Sequence, residues 1–388
     1  MPRRVSVLVL GTADWQQPIA TNQHYVTREL AADSDFALTF VESLALRRPQ
    51  FTSRDVHRML GRIRRAFSRA QETRSTRPIP DGMTIISPLV IPLHSGLAAR
   101  INRRLLARRV TQWAQATGLK LLWTYTPVTY GLEEVADATM YHCVDLLGKF
   151  AGVDERVIAR GERNLARHGA AAAATSEVVR THLEEVGFVD VALWENVADI
   201  DVITVARPEL TPRIPRRVIF AGNLSPKKVD FGLLEALADE GLEVLVAGPR
   251  AEGGGGDDTE YQSMIRHGVH HLGMLSLEEL AGELAQASVG LIPYRINDYT
   301  RGVSPLKTYE YLAAGLPVVS TALPGVHASE GDVWVEHDPV DFVRVAKELA
   351  QSFDPASLER RVASAAAHSW TGRGAEARAL AHELLLAR

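Results

Sequence analysis

The sequence of 388 residues has only one cysteine, Cys143, and no cluster of cysteine and histidine residues. A single thiol cannot form an internal disulfide, and it fits a reducing compartment. The lack of a Cys/His cluster argues against a structural zinc site. No apolar run reaches the roughly 18 residues that a membrane-spanning helix needs, and the run Val5–Leu10 is too short for a secretory signal. These absences predict a cytoplasmic protein without a structural metal ion.

Lysine is scarce as well, because only six of the 43 basic residues are lysines. Three of the six, Lys227, Lys228 and Lys307, lie in two short segments of the second half. Lysine binds phosphate as a mobile point charge. Their concentration in a chain that otherwise uses arginine favours a phosphate site over two solvated turns.

Charge is divided unevenly along the chain. Residues 1–120 carry 19 basic and 8 acidic side chains, a net of +11, and the remainder carries 24 basic and 39 acidic side chains, a net of −15. The N-terminal part therefore either meets an anionic partner or simply has well-solvated charged faces.

Short apolar runs alternate with helix-like segments along the first half, beginning with the strand-like runs Val5–Leu10 and Phe36–Val41. A Pro- and Arg-rich stretch at 207–217 has a linker composition, and a second alternation begins at Val218. Strands that alternate with helices form parallel sheets. The sequence predicts an α/β protein of two Rossmann-like, doubly wound domains that face a central cleft, with ligands at the carboxyl ends of the strands.

The strongest motif is the segment 297–320, NDYTRGVSPLKTYEYLAAGLPVVS. Ser304 is a good N-cap and Pro305 a good first residue for a helix over Pro305–Ala313. The N-terminus of such a helix suits a phosphate, and Lys307 in its first turn makes sense if an anion binds there. Glu310 lies on the same face, where a carboxylate can accept ribose hydroxyls. The alternative is an ordinary crossover helix with a solvated Lys–Glu pair.

A second motif is the segment 220–230, FAGNLSPKKVD. A predicted strand ends at Gly222, where the backbone can approach a ligand closely. Asn223 and Lys228 follow in the turn that leads to the next helix. This arrangement is typical of a phosphate-binding turn, with a solvated lysine turn as the alternative.

These two motifs, with AGP at 247–249, HLGMLSLEEL at 271–280 and VGLIPY at 289–294, resemble the C-terminal donor domain of GT-B glycosyltransferases. The most similar type is the bacterial group related to family 4 that builds surface polysaccharides, including the teichuronic-acid type. The resemblance covers 218–350 and is looser in the N-terminal half. It implies a nucleoside diphosphate sugar as substrate, an acceptor hydroxyl, no cofactor, no metal and no nucleic acid partner.

The resemblance also implies domain roles and site residues. We expect an acceptor-binding domain at 1–198, a linker at 199–217, a donor domain at 218–352 and C-terminal helices at 353–388 that cross back to the first domain. The residues implied to bind the donor are Gly222, Asn223, Lys228, Arg301, Ser304, Lys307 and Glu310. Asn223 stands where many relatives have arginine, and Gly302 where the first glutamate of the paired-Glu motif would fall. Both retaining and inverting outcomes therefore remain open.

The sequence signals for the acceptor-binding side are less specific than those for the donor side. The segment around Asp145 resembles the one that bears the catalytic aspartate in the inverting glucuronosyltransferase of xanthan synthesis, so Asp145 is a candidate base and a helix cap is the alternative. His24 and His142 are further candidate bases, although a lone histidine is more often structural. Gly11, Thr12, Trp15 and Gln16 follow the first strand and are expected to face the acceptor.

Two arginine-rich segments, Thr52–Ala70 and Ser95–Ala116, read as basic amphipathic helices. Such helices indicate peripheral attachment to an anionic membrane surface, unless their apolar stripes face the core. The acceptor is accordingly a sugar, a lipid-linked sugar or a soluble small molecule such as a natural product. A non-catalytic nucleotide-sugar-binding protein and a sugar-nucleotide epimerase of similar fold are the alternatives to a glycosyltransferase.

Overall fold

The computed structural model describes residues 5–17, 20–46, 77–150, 152–206, 211–250, 258–352 and 354–386. These fall into two compact units. We call Met1–Glu195 with Arg373–Arg388 the N-unit, and Asn196–Gly372 the C-unit. The predicted Arg-rich helix Thr52–Ala70 lies outside the described residues.

Apolar runs of the first half form a seven-stranded sheet in the described N-unit, because each run is buried and packs between helices. Its strands are all parallel, in the order β3-β2-β1-β4-β5-β6-β7. The elements are β1 (Val5–Leu10), α1 (Asn22–Ala31), β2 (Phe36–Val41), β3 (Thr84–Ile86), α2 (Gly96–Arg109), α3 (Thr111–Ala114), β4 (Lys120–Thr124), β5 (Ala138–Cys143), α4 (Glu155–Arg167), β6 (Ala171–Ala174), α5 (Glu177–Val186) and β7 (Ala192–Leu193).

The second alternation forms a six-stranded parallel sheet in the described C-unit, in the order β10-β9-β8-β11-β12-β13. The elements are α6 (Ile200–Val205), β8 (Arg217–Ala221), α7 (Phe231–Asp239), β9 (Glu243–Ala247), α8 (Asp258–Arg266), β10 (His270–Gly273), α9 (Leu277–Gln286), β11 (Val289–Ile292), α10 (Lys307–Ala313), β12 (Val318–Thr321), β13 (Val333–Glu336), α11 (Pro339–Leu349) and α12 (Pro355–Ala366). A last helix, α13 (Trp370–Leu386), begins in the C-unit and continues in the N-unit.

Each sheet has one point where the strand order reverses, between β1 and β4 in the N-unit and between β8 and β11 in the C-unit. In open parallel sheets, ligands bind beyond the carboxyl ends of the strands at such a point. The loops that follow β1, β8 and β11 carry most of the predicted site residues. The prediction of two Rossmann-like α/β domains is confirmed, and the fold brings those loops to the expected edges.

The unit boundaries in the structure differ from the predicted domain limits. The predicted linker 199–217 contains α6, and its Arg213 is half-buried and donates hydrogen bonds to the carbonyls of Leu284 (3.0 Å) and Ala287 (2.8 Å). These contacts cap α9 at its C-terminus and fix the segment to the C-unit. The return to the N-unit starts at Arg373, because α12 packs within the C-unit.

Only the later part of α13 lies on the N-unit. Arg378 donates to the Glu29 carboxylate at 3.0 Å, and His382 Nε2 lies 2.9 Å from the Asp33 carboxylate. These contacts hold α13 beside α1. The last helix therefore completes the N-unit.

The predicted basic helix over Ser95–Ala116 is two helices, α2 and α3, which meet at Val110. The Thr111 hydroxyl donates to the carbonyls of Ala107 (3.1 Å) and Arg108 (3.0 Å), and the Trp113 indole N–H donates to the Ser6 carbonyl at 3.0 Å. The threonine caps α2 and the tryptophan fastens α3 to β1, which accounts for the break. No helix in the described ranges is both long enough and apolar enough to span a bilayer.

Candidate functional site

The loops after β8 and β11 are joined by backbone hydrogen bonds at the carboxyl edge of the C-unit sheet. The amide N–H of Asp230 donates to Pro293 O at 2.8 Å, and that of Arg295 donates to Lys228 O at 2.9 Å. The Asn297 side chain adds a bond of 2.8 Å to Lys227 O. The two predicted phosphate-binding segments therefore form one connected structure.

Gly222 brings the backbone close to a lysine at this edge. Its φ is 157°, and a Cβ added there would lie 3.4 Å from Lys307 Cε and 3.5 Å from Lys307 Nζ. Gly248, after β9, approaches more closely still, because a Cβ there would lie 2.2 Å from Gly222 O. A side chain at Gly248 is therefore excluded by the backbone of the neighbouring loop.

Lys228 and Lys307 converge on one tyrosine that we had not predicted, Tyr294. Lys307 is buried, and its Nζ donates to the Tyr294 hydroxyl at 2.7 Å. Lys228 Nζ lies 4.7 Å from the centre of the Tyr294 ring. Burial alone would raise the pKa of the Tyr294 phenol, but the two lysine charges outweigh burial and lower it below its ordinary value. The signal in the sequence was an aromatic residue two positions after the buried strand β11 (Val289–Ile292).

Glu310 lies on α10, in the turn after Lys307, and is half-buried. Removal of its carboxyl from water raises its pKa to about 7; the nearby Lys307 charge opposes this shift and Asp199 adds to it. The carboxyl therefore changes protonation state near neutral pH. Its ionised form can accept two hydroxyl hydrogen bonds, which is the chemistry expected of a ribose ligand.

The predicted start of this helix was wrong. The helix begins at Lys307 with Leu306 at the N-cap position, and a tight turn in which Thr308 N–H donates to Pro305 O (3.1 Å) overlaps its start. Ser304 is buried and does not cap the helix; its carbonyl accepts a bond of 2.5 Å from the Asn196 side chain. Ser304 therefore anchors this loop inside the C-unit.

Two further predicted donor residues have different surroundings. Arg301 is exposed in the short 3-10 turn Thr300–Gly302. Asn223 is half-buried, and its Oδ1 is a buried atom without a hydrogen-bond partner in the described part of the chain. A side-chain amide with unused hydrogen-bonding capacity beside the lysine turn can meet a polar group of a ligand.

In the N-unit, Asp145 follows β5 and is half-buried. Its carbonyl accepts a hydrogen bond of 2.8 Å from the Leu147 amide, so the chain turns sharply at this point. His142, the candidate base three residues earlier, is fully buried on β5 and stacks on Tyr125 with ring centres 4.9 Å apart. Burial, helped by the Arg373 charge, lowers the His142 pKa to about 3, so the ring is neutral at physiological pH.

His24 is a structural residue. Its Nδ1 accepts the Thr21 amide N–H at 3.0 Å, which places the ring proton on Nε2, 3.1 Å from the Asp14 carbonyl. Burial lowers the His24 pKa to about 4. Both ring nitrogens are used to fix the start of α1, which corrects the assignment of His24 as a candidate base.

The loop after β1 is fixed by contacts with other segments of the N-unit. Gly11 is packed so tightly that an added Cβ would lie 2.6 Å from Gln23 Oε1, and the same oxygen accepts the Thr12 amide at 2.7 Å. Trp15 is buried, with its amide bonded to the Glu42 carboxylate at 3.0 Å. The Gln16 side chain bonds to the backbone of Arg77. Trp15 therefore belongs to the core, which corrects its predicted place facing an acceptor.

Among the residues that the structure describes, no three metal-ligating side chains come together. A metal-independent reaction accordingly stays a prediction.

Residues 215–352 match the family model described as "Glycosyl transferases group 1". The chain is also 33% identical over 159 residues to the Bacillus subtilis protein TuaH, whose name assigns it to teichuronic acid biosynthesis as a glycosyltransferase. That match covers 39% of each protein, so the matched part is well under half of the relative's length.

Solved structures match over the whole chain. HepE of Anabaena, crystallised with UDP-glucose, has 14% identity and a TM-score of 0.61, with 99% of this chain and 100% of HepE covered. The α,α-trehalose 6-phosphate synthase of Burkholderia multivorans has 14% identity and a TM-score of 0.64, with full coverage of both chains. These likenesses confirm the GT-B fold that the sequence motifs predicted.

Proposed function

We propose that the protein transfers a hexosyl group from a nucleoside diphosphate sugar to an acceptor hydroxyl, because residues 215–352 match the family model of the group 1 glycosyl transferases. The observation that carries the proposal is the pair of lysines at the switch point of the C-unit, with Glu310 one turn further on. Cations at this place stabilise the negative charge that develops on a leaving diphosphate. The carboxylate of Glu310 binds the ribose of the same nucleotide.

Lys228 and Lys307 supply the charge that a divalent cation supplies in other transferases. We therefore expect donor binding and transfer to persist in EDTA. Loss of transfer in EDTA and its recovery with Mg²⁺ or Mn²⁺ would contradict this metal-independent proposal.

Asp145 is the proposed base. It stands at the carboxyl end of β5, at the edge of the N-unit sheet where ligands bind in this topology. An ionised carboxylate there can take the proton of an acceptor hydroxyl. His24 is not proposed as a base, because both of its ring nitrogens bond to the backbone. His142 is a weaker candidate than Asp145, because it is buried.

The acceptor that we propose is a growing surface polysaccharide or its lipid-linked precursor. The match to TuaH supports a polymer acceptor. HepE and the trehalose 6-phosphate synthase have different names and the same fold, so the fold alone does not identify the acceptor.

The experiment that tests the transfer has two steps. Thermal shift with UDP, GDP, ADP and dTDP first selects the nucleotide, and the corresponding glucose, galactose and glucuronic acid donors are then incubated with membranes that carry the lipid-linked acceptor. Transfer of labelled sugar into the lipid fraction supports the proposal. Stabilisation by a nucleotide without transfer or donor hydrolysis would indicate a binding protein instead.

A membrane surface is the proposed location of the acceptor. Exposed apolar side chains cluster at the start of α2 and in the loop before it, where Leu93 is 49% and Leu97 72% exposed. The arginines of α2 at positions 100, 104 and 108 are exposed on the same helix. Apolar side chains beside arginines suit an anionic lipid interface.

Vesicle flotation tests this location. We expect binding to phosphatidylglycerol-containing vesicles, loss of binding near roughly 0.5–1 M salt because charges are then screened, and weaker binding of the Leu93→Asp/Leu97→Asp variant. The Arg156→Glu/Arg160→Glu variant on α4 changes charge elsewhere on the N-unit and should bind like the parent. Equal binding of the apolar variant, or no binding at low salt, would favour a soluble acceptor.

A further inference from the structure

Tyr294 is buried in the C-unit and its backbone is held from two sides. It pairs with Val229 in an isolated antiparallel bridge, and its carbonyl accepts the Thr321 hydroxyl at 2.7 Å. Only 1% of the residue is exposed. The ring therefore has one fixed place between the loops that follow β8 and β11.

Both phosphate-site lysines point at this ring. Lys307 Nζ lies 5.0 Å and Lys228 Nζ 4.7 Å from its centre, and Lys307 also donates to the hydroxyl at 2.7 Å. A tyrosine ring attracts cations through its π face, and the phenol oxygen accepts an ammonium proton. A single side chain thus holds two cations that would otherwise repel each other.

Lys307 forms no ion pair with a carboxylate among the described residues, although it is buried. A buried ammonium without a counter-ion is costly unless polar groups surround it. The Tyr294 hydroxyl is the side-chain group that meets this need. As a neutral acceptor, the hydroxyl solvates the Lys307 ammonium without adding a second negative charge to that of the nearby Glu310 carboxyl.

We propose that Tyr294 is a positioning residue, which holds Lys228 and Lys307 as one diphosphate-binding unit. The inference rests on the proposed function, because it assigns the support of the cations that receive the donor's diphosphate. Two cations fixed at one place match a ligand with two neighbouring phosphates better than a ligand with one. Tyr294 consequently favours nucleoside diphosphates over monophosphates without touching them.

The test compares the parent with Tyr294→Phe, which keeps the ring and removes the hydroxyl that holds Lys307. Isothermal titration with UDP and UMP, or with the diphosphate and monophosphate of whichever base binds best, gives the affinities. We expect UDP affinity to fall about tenfold, the equivalent of one charged hydrogen bond, and UMP affinity to fall much less. Tyr141→Phe removes another buried tyrosine hydroxyl, one that contacts Glu162, and should leave both affinities unchanged.

A double-mutant cycle separates positioning from general damage. Because the Tyr294 hydroxyl contacts Lys307 directly, the loss of UDP affinity caused by Tyr294→Phe should be clearly smaller in a Lys307→Met background than in the parent, with the remainder acting through Lys228. Additive losses, or a UDP affinity of Tyr294→Phe within about twofold of the parent, would overturn the inference. If Tyr294→Phe does not fold, the cycle between Lys228→Met and Lys307→Met replaces it, and additivity there would overturn the inference equally.

The same measurements distinguish failure of the inference from failure of the proposed function. Loss of UDP affinity in both lysine variants, with normal affinity in Tyr294→Phe, overturns only the role of Tyr294. Unchanged UDP affinity in both lysine variants overturns the diphosphate site itself, and the role of Tyr294 with it.

Discussion

The carboxyl edges of the two sheets differ in the charged and titratable groups that lie there. At the C-unit edge, two lysines and a carboxyl with a pKa near 7 are held close together. At the N-unit edge, the two candidate histidines are buried and neutral, and the amides of Thr12 and Trp15 after β1 donate to side chains of other elements, Gln23 and Glu42. On the proposed function, the donor is bound by fixed charges of the C-unit, whereas Asp145 is the ionisable group that we propose on the acceptor side.

The strongest test of this comparison is Asp145→Asn. We expect transfer to fall by at least about a hundredfold, the usual size of general-base catalysis, while nucleoside diphosphate affinity stays at the parental value. The exposed Glu155→Gln variant, ten residues further on, serves as the control and should retain normal rates. If Asp145→Asn keeps more than about a hundredth of the parental kcat, the base lies elsewhere.

Lys228→Ala and Lys307→Ala should each lower kcat/KM by about tenfold or more, at least about 1.5 kcal/mol, because each removes a charged contact with the diphosphate. The neighbouring Lys227 is exposed, so Lys227→Ala is a matched control that should have little effect. Steady-state kinetics under identical conditions give the comparison. An equal loss in all three variants would indicate a diffuse electrostatic effect in place of a built site.

The pKa of Glu310 predicts a pH effect on donor affinity. Because the ionised carboxylate accepts the ribose hydroxyls, affinity should rise as pH increases through about 7, by about tenfold between pH 6 and pH 8. In Glu310→Gln this pH dependence should disappear, and in Glu310→Ala the affinity should be low throughout. Titrations of UDP at several pH values check this, and a flat profile for the parent would argue against the ribose role.

The smallest effect on activity is expected for His24→Ala. The Thr21 amide and the Asp14 carbonyl lose their partner, so stability should fall by about 1–3 kcal/mol while kcat/KM changes little. The folded-state pKa of His24, about 4, lies below the ordinary 6.5, so its contribution is present above pH 6.5 and is lost as pH falls towards 4. Thermal unfolding of parent and variant between pH 4 and pH 7 tests both statements. A large loss of kcat at full stability would restore His24 as a catalytic candidate.

The sequence predicted the fold well because apolar runs of strand length alternate with amphipathic segments, and this pattern admits few arrangements other than parallel sheets. It also singled out Gly222, Lys228 and Lys307, which the structure places close together; their role in donor binding stays a prediction. The start of α10 was missed because Ser304 and Pro305 are residue types typical of a helix start, whereas the helix begins at Lys307, with the Glu310 N–H donating to the Leu306 carbonyl at 3.3 Å.

Tyr294 and Trp15 show a second limit of prediction from the sequence alone. Whether an aromatic residue beside a predicted site supports it, lines it or fills the core depends on contacts with distant parts of the chain. Trp15 is held by Glu42, 27 residues away, and Tyr294 by Lys307, 13 residues further along. Periodicity and local spacing carry no information about such pairs.

The path of α13 has a practical consequence for dissecting the protein. The C-unit is one uninterrupted stretch, Asn196–Gly372, whereas the N-unit is assembled from two pieces, Met1–Glu195 and Arg373–Arg388. The C-unit can therefore be expressed as one continuous fragment, whose C-terminal boundary at Gly372 lies inside the first turn of α13. A matching acceptor-side fragment needs its C-terminal segment supplied as a separate peptide or joined by a short loop, since Arg378 and His382 otherwise leave Glu29 and Asp33 without their partners.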